Sequence, residues 1–460
     1  MRFVDLFAGL GGFHYALRAL GHECVFASEI DPELRELYAR NFPDSARRVF
    51  GDIREFAHRV PRHDVLCAGF PCQPFSKSGY QRGRRDRRRG TLFHEIAAIL
   101  EHHLPRYVIL ENVGNFERHN YGRTWRIVRQ TLQRLGYCVR GTTHVASGGH
   151  GLISPHHLGY PQSRERFFIV ASLNQLREDP FPKADRTRVT TLGDIVMRPR
   201  ELRAADREET SLPPARIECI KHWNRFVRAV PRCVELPSFP LWGDEFGARY
   251  PFSERTPHVS PMSELKRVIR HRYRPRPTRA QLISFLPSYA RSTESVFPAW
   301  KVAFIQQNRD YFRRVRGYLP AKWLEDLASL PASHRKLEWN CNGEVRDLWQ
   351  CVLQFRPSGL RAKRYTSSPA LVALNTTQTP ILGPERRFIT RVEGLRLQGF
   401  PDSHNLPKSR ENAFAALGNA VHTGVASAIA SRLLTGRAHE SEGDLEAWIA
   451  TLEEHPGTSA

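Results

Sequence analysis

Over the first 170 residues, short apolar runs alternate with amphipathic stretches, and this rhythm restricts the chain more than any other feature. The runs lie at 3–7, 24–28, 65–69, 107–111 and 166–171, each too short for a helix of ordinary length. Between them, 33–41, 92–103 and 125–135 carry apolar residues at helical spacing. Strand–helix–strand repetition of this kind predicts an α/β fold with a doubly wound, mainly parallel sheet. Such a sheet binds its ligands in the crevice outside the carboxyl ends of its strands, so the residues just after each run are the ones to inspect. From about 175 to 360 the rhythm is lost in a segment rich in Arg, Pro and aromatics. A helical pattern returns at 390–398 and 411–434. The expected division is one domain of 1–174 plus 386–436, an inserted mixed domain of 175–385, and an acidic tail of 437–460 ending in a capped surface helix.

The chain has 460 residues and a formal charge of +22, its basic residues almost all arginine. An excess of this size suits a polyanionic partner, nucleic acid before an anionic membrane surface. No apolar stretch approaches the roughly 20 residues of a membrane span, and no signal-like segment opens the chain. Eight scattered cysteines fit reduced thiols of a cytoplasm rather than a disulfide framework. Cys219, His222 and Cys233 lack a fourth partner at finger-like spacing, so no metal is expected.

After the first run comes Phe7-Ala-Gly-Leu-Gly-Gly12, whose glycines permit a tight turn and close approach of a ligand to a helix N-terminus. A dinucleotide motif needs a third glycine where His14 stands, which weakens NAD or FAD. Glu29 ends the second run, where an acid can accept ribose hydroxyls. Asp52 follows the third strand, placed to receive an adenine amino group. Either acid alone is more often a plain strand-end acid. Together, after that turn, they suggest an adenosine without a pyrophosphate, which S-adenosylmethionine fits.

Two prolines, Pro71 and Pro74, flank Cys72 directly after the run at 65–69 and hold the thiol in one pose. The bland alternative is a structural cysteine, but a stiff, polar, glycine-bounded loop does not suit one. Glu111 ends the next run and projects into the same crevice, with Asn112 beside it. Arg164 and Arg166 bracket Glu165; read alone, either could be a surface ion pair. The intensely basic stretch 80–90 follows the cysteine loop. Charge runs are usually solvated faces; this one lies beside the crevice. Thr390 and Glu393 form a capping box on what reads otherwise as a packing helix.

Gly69-Phe-Pro-Cys-Gln-Pro-Phe-Ser-Lys-Ser-Gly79 resembles, almost letter for letter, the nucleophile loop of the DNA (cytosine-5)-methyltransferases of bacterial restriction–modification systems. Leu110-Glu-Asn-Val113, Gly90-Thr-Leu-Phe93, Gln162-Ser-Arg-Glu-Arg166, Thr390 to Pro401 and Leu417-Gly-Asn-Ala-Val421 are similar to further motifs of that family, in its usual order. The likeness covers roughly 1–172 and 362–432, with 154–161 somewhat unusual. It implies a Rossmann-like methyltransferase domain, with an insert that recognises the target. It implies S-adenosylmethionine held by Phe7, Gly9, Gly11, Glu29, Asp52 and, from the last motif, Asn419. On the reacting side it implies Cys72 as nucleophile toward carbon 6 of a flipped-out cytosine and Glu111 as acid and base reader. Asn112 would brace the loop, and Arg164 with Arg166 would lie near base and thiolate. The implied partner is double-stranded DNA, read by insert arginines such as Arg270, Arg272, Arg274 and Arg276. A restriction endonuclease would be paired in function without physical complex. The implied setting is a monomer in a bacterial cytoplasm, associated with the nucleoid through DNA. The rivals are an RNA cytosine-5 methyltransferase on the same fold and a catalytically dead DNA-binding protein.

Overall fold

The structure is a computed structural model and describes residues 1–71, 92–142, 151–176, 179–184, 190–269, 277–341, 345–373 and 376–435. Cys72, the basic stretch 80–90, the four arginines of 270–276 and the acidic tail lie outside the described residues.

The apolar runs form strands: β1 Arg2–Leu6, β2 Glu23–Ser28, β3 Val49–Phe50, β4 Val65–Gly69 and β5 Tyr107–Val113. They are followed by β6 Cys138–Arg140, β7 Leu152–Ile153, β8 Gln162–Ser163 and β9 Arg166–Ser172. The main sheet runs β3-β2-β1-β4-β5-β9-β6, with β7 also paired to β9. Strands β3 to β5 in that order are parallel, and β9 joins β5 antiparallel. The order reverses between β1 and β4, so the crevice at their carboxyl ends is the topological switch point of the doubly wound sheet.

Helices Pro32–Asn41, Leu92–His103 and Arg123–Arg134 occupy the positions that the helical spacing predicts to within a few residues, and Gly12–Ala19 follows the glycine turn. Pro32–Asn41 starts where Asp31 accepts the N–H groups of Glu33 and Leu34, with proline at the first helical position. Core packing joins the inward residues of the central strands to Ile96, Ile99, Leu100, Val128 and Leu132 of the covering helices. Thr390 caps Arg391–Leu397, and Glu393 returns its carboxylate to the Thr390 N–H at 2.7 Å.

The helix expected over 411–434 is two helices, Arg410–Asn419 and Thr423–Thr435. Ala420 between them is extended, and the carbonyls around it leave the helical ladder for Arg164. The turn between the two lies so close to helix Gly12–Ala19 that a Cβ on Gly12 would lie 2.3 Å from the Val421 carbonyl oxygen. By length and composition 410–435 could cross a membrane, but 83% of its most apolar window is buried inside the fold.

Two compact units divide the chain. One holds Met1–Arg207, Thr366–Thr376 and the described residues from Ile389 onward; the other holds Glu208–Tyr365 and Thr377–Phe388. The described residues of 175–207 and 366–376, within the expected insert, therefore belong to the first unit. The second unit contains β10 Leu241–Trp242, β11 Lys336–Asn340, β12 Cys351–Arg356 and β13 Gly359–Arg364. After β14 Ser368–Pro369, which pairs with β8 in the first unit, come its last strands, β15 Ile381–Leu382 and β16 Arg387–Phe388. The order is β10-β11-β13-β12-β15-β16, mixed because β11 and β13 are parallel and the other pairs antiparallel.

In the middle segment, residues 222–226, where basic and aromatic residues interleave, belong mostly to the core. His222, Trp223 and Phe226 are buried on helix Pro214–Ala229, with the His222 and Trp323 rings stacked at 4.6 Å. Only Arg225 of that set reaches outward, toward Asp326 at 3.6 Å.

Candidate active site

β1 ends in a reversal that only special backbone allows: Phe7, Gly9 and Gly11 have φ of 57°, 53° and 80°. Two of these cost glycine nothing, whereas Phe7 is held in the left-handed region by its surroundings. Glu29, at the end of β2, braces the turn. Its Oε2 accepts the Gly9 N–H at 2.8 Å and its Oε1 the Asp31 N–H at 2.9 Å. Arg35 donates to the Glu29 and Ile30 carbonyls at 2.9 and 2.7 Å.

His14, the residue that breaks the dinucleotide motif, is buried under the turn. Its Nδ1 lies 2.7 Å from the Tyr38 hydroxyl and its ring stacks on Phe42 at 3.7 Å. Burial pushes its pKa down to about 3, so the imidazole is neutral at physiological pH. Tyr38 also reaches Asp5 at 3.4 Å, and burial raises the Asp5 carboxyl well above the usual range. Asp5 lines the crevice yet gives no sequence signal beyond an acid on the inner side of an apolar strand.

Asp52 caps the short helix Ile53–Phe56 by accepting the Arg54 N–H at 3.0 Å. The Arg54 guanidinium also grips the carboxylate, Nε lying 3.0 and 2.9 Å from its two oxygens while Nη2 contacts Oδ2. That contact holds the Asp52 carboxyl below the usual carboxylate range. Sequence reading passed over Arg54, since nothing in Asp-Ile-Arg spacing says the third side chain folds back.

On the other side of the crevice, β4 ends at Gly69, in register with Glu111 on β5. Asn112 donates its amide to the Phe70 carbonyl at 2.8 Å and accepts the Val113 N–H at 2.9 Å, tying the start of the cysteine loop to β5. Glu111 is buried, with Arg166 Nε 3.0 Å from Oε1. Burial raises its carboxyl pKa, against the opposing pull of Arg166 and Arg164.

The surface ion pairs considered for Arg164 and Arg166 do not form. Arg166 faces Glu111, and its contact with Glu165 is to the carbonyl at 2.9 Å. Arg164 is buried and bonds through Nη2 to the Gly418 and Ala420 carbonyls at 2.8 and 3.0 Å, either side of Asn419. Its Nε and Nη1 have no hydrogen-bond partner among the described residues. Desolvation pushes its pKa down to about 9, which still leaves it charged at neutral pH. Gln162, two residues earlier, is also fully buried with neither amide atom bonded among the described residues. Arg164→Ala should lower stability by about 1–3 kcal/mol or more, because two buried carbonyls lose their donor. Chemical unfolding of the two proteins checks this.

These residues line two adjoining cavities. One of about 280 Å³ is bounded by Phe7, Glu29, Asp52, Arg54, Pro71 and Leu92. The other, of about 300 Å³, reaches from Gly9 and Glu29 to Glu111, Asn112, Arg164, Arg166 and Asn419. Phe7, Glu29 and Pro71 belong to both, and Pro71 immediately precedes Cys72. Among the described residues, no group of three or more His, Cys, Asp or Glu side chains is placed to hold a metal ion.

Comparison with known proteins agrees in family. The family described as C-5 cytosine-specific DNA methylase matches residues 1–224 and 307–435. Type II methyltransferase M.AluI of Cellulosimicrobium cellulans is 34% identical over 92% of this chain and 90% of its own length. M.MspI of a Moraxella species is 42% identical over 40% of this chain and 41% of its own, and M.HhaI of Haemophilus parahaemolyticus 41% identical over 40% and 53%. With the family matched on both sides of residues 225–306 and M.AluI along nearly the whole length, the chain belongs to the C-5 cytosine-specific DNA methylases and is a DNA cytosine-5 methyltransferase.

Proposed function

We propose that the enzyme transfers a methyl group from S-adenosylmethionine to carbon 5 of a cytosine flipped out of a specific double-stranded DNA sequence, with Cys72 as nucleophile. The observation that carries this reading is the pair of cavities meeting at Phe7, Glu29 and Pro71, one bounded by acids suited to an adenosine and the other by Glu111 and two arginines. The residues suit the cofactor. A glycine turn, an aromatic ring and two carboxylates match a ribose and an adenine, and among the described residues the cation on this wall is Arg54, held by Asp52. When bound, S-adenosylmethionine supplies an electrophilic methyl group. Glu29 takes the ribose hydroxyls, Asp52 the exocyclic amine, and Phe7, Gly9, Gly11 and Asn419 complete the cofactor wall.

Carbon 5 of cytosine is a poor nucleophile. Addition of the Cys72 thiolate at carbon 6 makes it an enamine carbon able to attack, and after the methyl group is taken up, loss of the carbon 5 proton expels the thiolate and restores the ring. Glu111, whose carboxyl burial raises above its ordinary range, donates a proton to N3 and promotes that addition. Arg164 and Arg166 place positive charge beside it, favouring the thiolate. Asn112 holds the loop. Since a stacked cytosine cannot present carbon 6 to a thiol, the base leaves the helix. The basic stretch 80–90 supplies positive charge for the phosphate backbone, and the insert, including Arg270, Arg272, Arg274 and Arg276, reads the sequence. The enzyme works as a monomer in a bacterial cytoplasm, on nucleoid DNA, and protects it from an endonuclease with which it forms no complex.

Methyl transfer from labelled cofactor to duplex DNA and to RNA tests the substrate. Label should enter duplex DNA and resist ribonuclease; label confined to RNA would overturn the reading in favour of an RNA methyltransferase. Glu29→Ala should raise KM for S-adenosylmethionine about tenfold or more while kcat at saturation changes little, as loss of a charged hydrogen bond to the cofactor requires. Initial rates across a cofactor series measure both constants.

A further inference from the structure

The connection 114–122, between β5 and helix Arg123–Arg134, presents a side chain that folding does not account for. It leaves β5 directly after Glu111, Asn112 and Val113, so it starts at the carboxyl edge of the sheet, where the crevice lies. Phe116 anchors it: the ring is buried, meets Phe70 edge-on at 5.7 Å and stacks on Phe167 at 5.9 Å. Phe70 stands two residues before Cys72, so the connection is seated beside the start of the cysteine loop. Further bonds fix its course. The Glu117 carboxylate accepts the Thr142 hydroxyl at 2.8 Å, His119 Nδ1 lies 2.7 Å from the Thr124 hydroxyl, and the Asn120 carbonyl accepts the Arg123 N–H at 3.1 Å. On this support Asn120, Tyr121 and Gly122 turn left-handed in succession, with φ of 52°, 55° and 77°. Glycine and asparagine tolerate that backbone, whereas a tyrosine is strained by it. Tyr121 is nevertheless wholly exposed, so no packing inside the fold offsets the strain.

The charge around the ring has one sign. From 114 to 134 the chain has five arginines and one acid, Glu117. Arg118, Arg123 and Arg126, the three nearest Tyr121, are exposed and form no ion pair among the described residues. We propose that this connection is a DNA contact of the catalytic unit: Tyr121 packs its ring against the strand that enters the crevice, and Arg118, Arg123 and Arg126 bind that strand's phosphates. This rests on the reading of duplex DNA as substrate. Cations track a phosphate backbone, and an exposed aromatic ring offers a face to a base whatever its identity, so the contact adds affinity without reading sequence. A strained residue aimed into solvent fits a surface shaped for a partner rather than for the free protein.

Binding of a fluorescein-labelled duplex to the full-length protein, read by anisotropy without cofactor across a salt series, tests this. The wild-type affinity should fall as salt rises. Tyr121→Asn should bind about tenfold more weakly with unchanged salt dependence, because it removes a stacking surface and no charge. Tyr121→Phe should recover most of that loss. Arg118→Ala, Arg123→Ala and Arg126→Ala should each weaken binding to duplexes of any sequence and lower the salt slope by about 1. Asparagine also suits the left-handed backbone, so the melting temperature of Tyr121→Asn should equal or exceed that of the wild type. Wild-type affinity and slope in Tyr121→Asn and the three arginine variants would overturn the proposal and leave the duplex reading standing. A melting temperature that drops together with binding in Tyr121→Asn would overturn it too, by assigning the ring to folding. Wild-type protein that binds single strands or RNA but no duplex would overturn the duplex reading and the proposal together.

Discussion

Cys72→Ala should abolish methyl transfer, a loss of about 10⁴-fold or more, while leaving DNA binding in place. Without addition at carbon 6 there is no enamine, and no other described side chain of the crevice is a soft nucleophile. Before the cysteine, Asn112 grips the Phe70 carbonyl at 2.8 Å and Pro71 stiffens the next step. Serine at this position should fail almost as completely, because a hydroxyl lacks the acidity and nucleophilicity of a thiol. Duplex DNA carrying 5-fluorocytosine at the target should become covalently trapped on the wild-type enzyme with S-adenosylmethionine, since no proton can leave carbon 5, and not on Cys72→Ala. Normal turnover by the alanine protein would end the covalent mechanism.

Glu111→Gln should slow transfer by about 10²-fold or more at saturating cofactor and DNA. The amide can still hydrogen-bond to the base but has no proton to give N3. The pH profile distinguishes this from a loss of shape. Burial raises the Glu111 carboxyl above the ordinary glutamate range, and an acid with a raised pKa keeps its proton to higher pH. The wild-type rate should therefore hold below that raised value and fall as pH rises through it. Glu111→Gln should lack that falling limb. Single-turnover rates across pH measure it, and identical profile shapes for the two enzymes would remove Glu111 from the acid role.

The sheet was legible because buried parallel strands are short apolar runs on both faces. The runs at 65–69 and 107–111 correspond to Val65–Gly69 and Tyr107–Val113, and the stretch 92–103 is helix Leu92–His103. Doubly wound connectivity then puts the residues after each run at one edge, which is why Phe7, Glu29, Asp52, Glu111 and Asn112 converge. What stayed hidden depends on contacts distant in sequence or on side-chain direction. Arg164 looked like a partner for its neighbour Glu165, but its bonds are to Gly418 and Ala420 at the far end of the chain. Arg54 turning back onto Asp52 is a rotamer choice that no spacing announces.

In the middle segment the helices were there to be read. Cys219, Ile220, Trp223, Phe226 and Val227 follow helical spacing on Pro214–Ala229, but interleaved arginines hid the stripe. Ala299–Val315 buries Ile305, Asn308, Tyr311 and Val315, where a polar residue in the stripe breaks the apolar pattern. Asn308 is there because its side chain accepts the Trp242 N–H at 2.7 Å and donates to the Pro240 carbonyl at 3.1 Å, satisfying backbone in and just before β10.

Bisulfite sequencing of total DNA from cells expressing the full chain tests the central claim most directly. Specific methylation at carbon 5 predicts conversion-resistant cytosines at one recurring sequence, on DNA, and their disappearance when the cells express Cys72→Ala instead. Fully converted DNA from cells making soluble wild-type protein, or resistant cytosines confined to RNA, would contradict it.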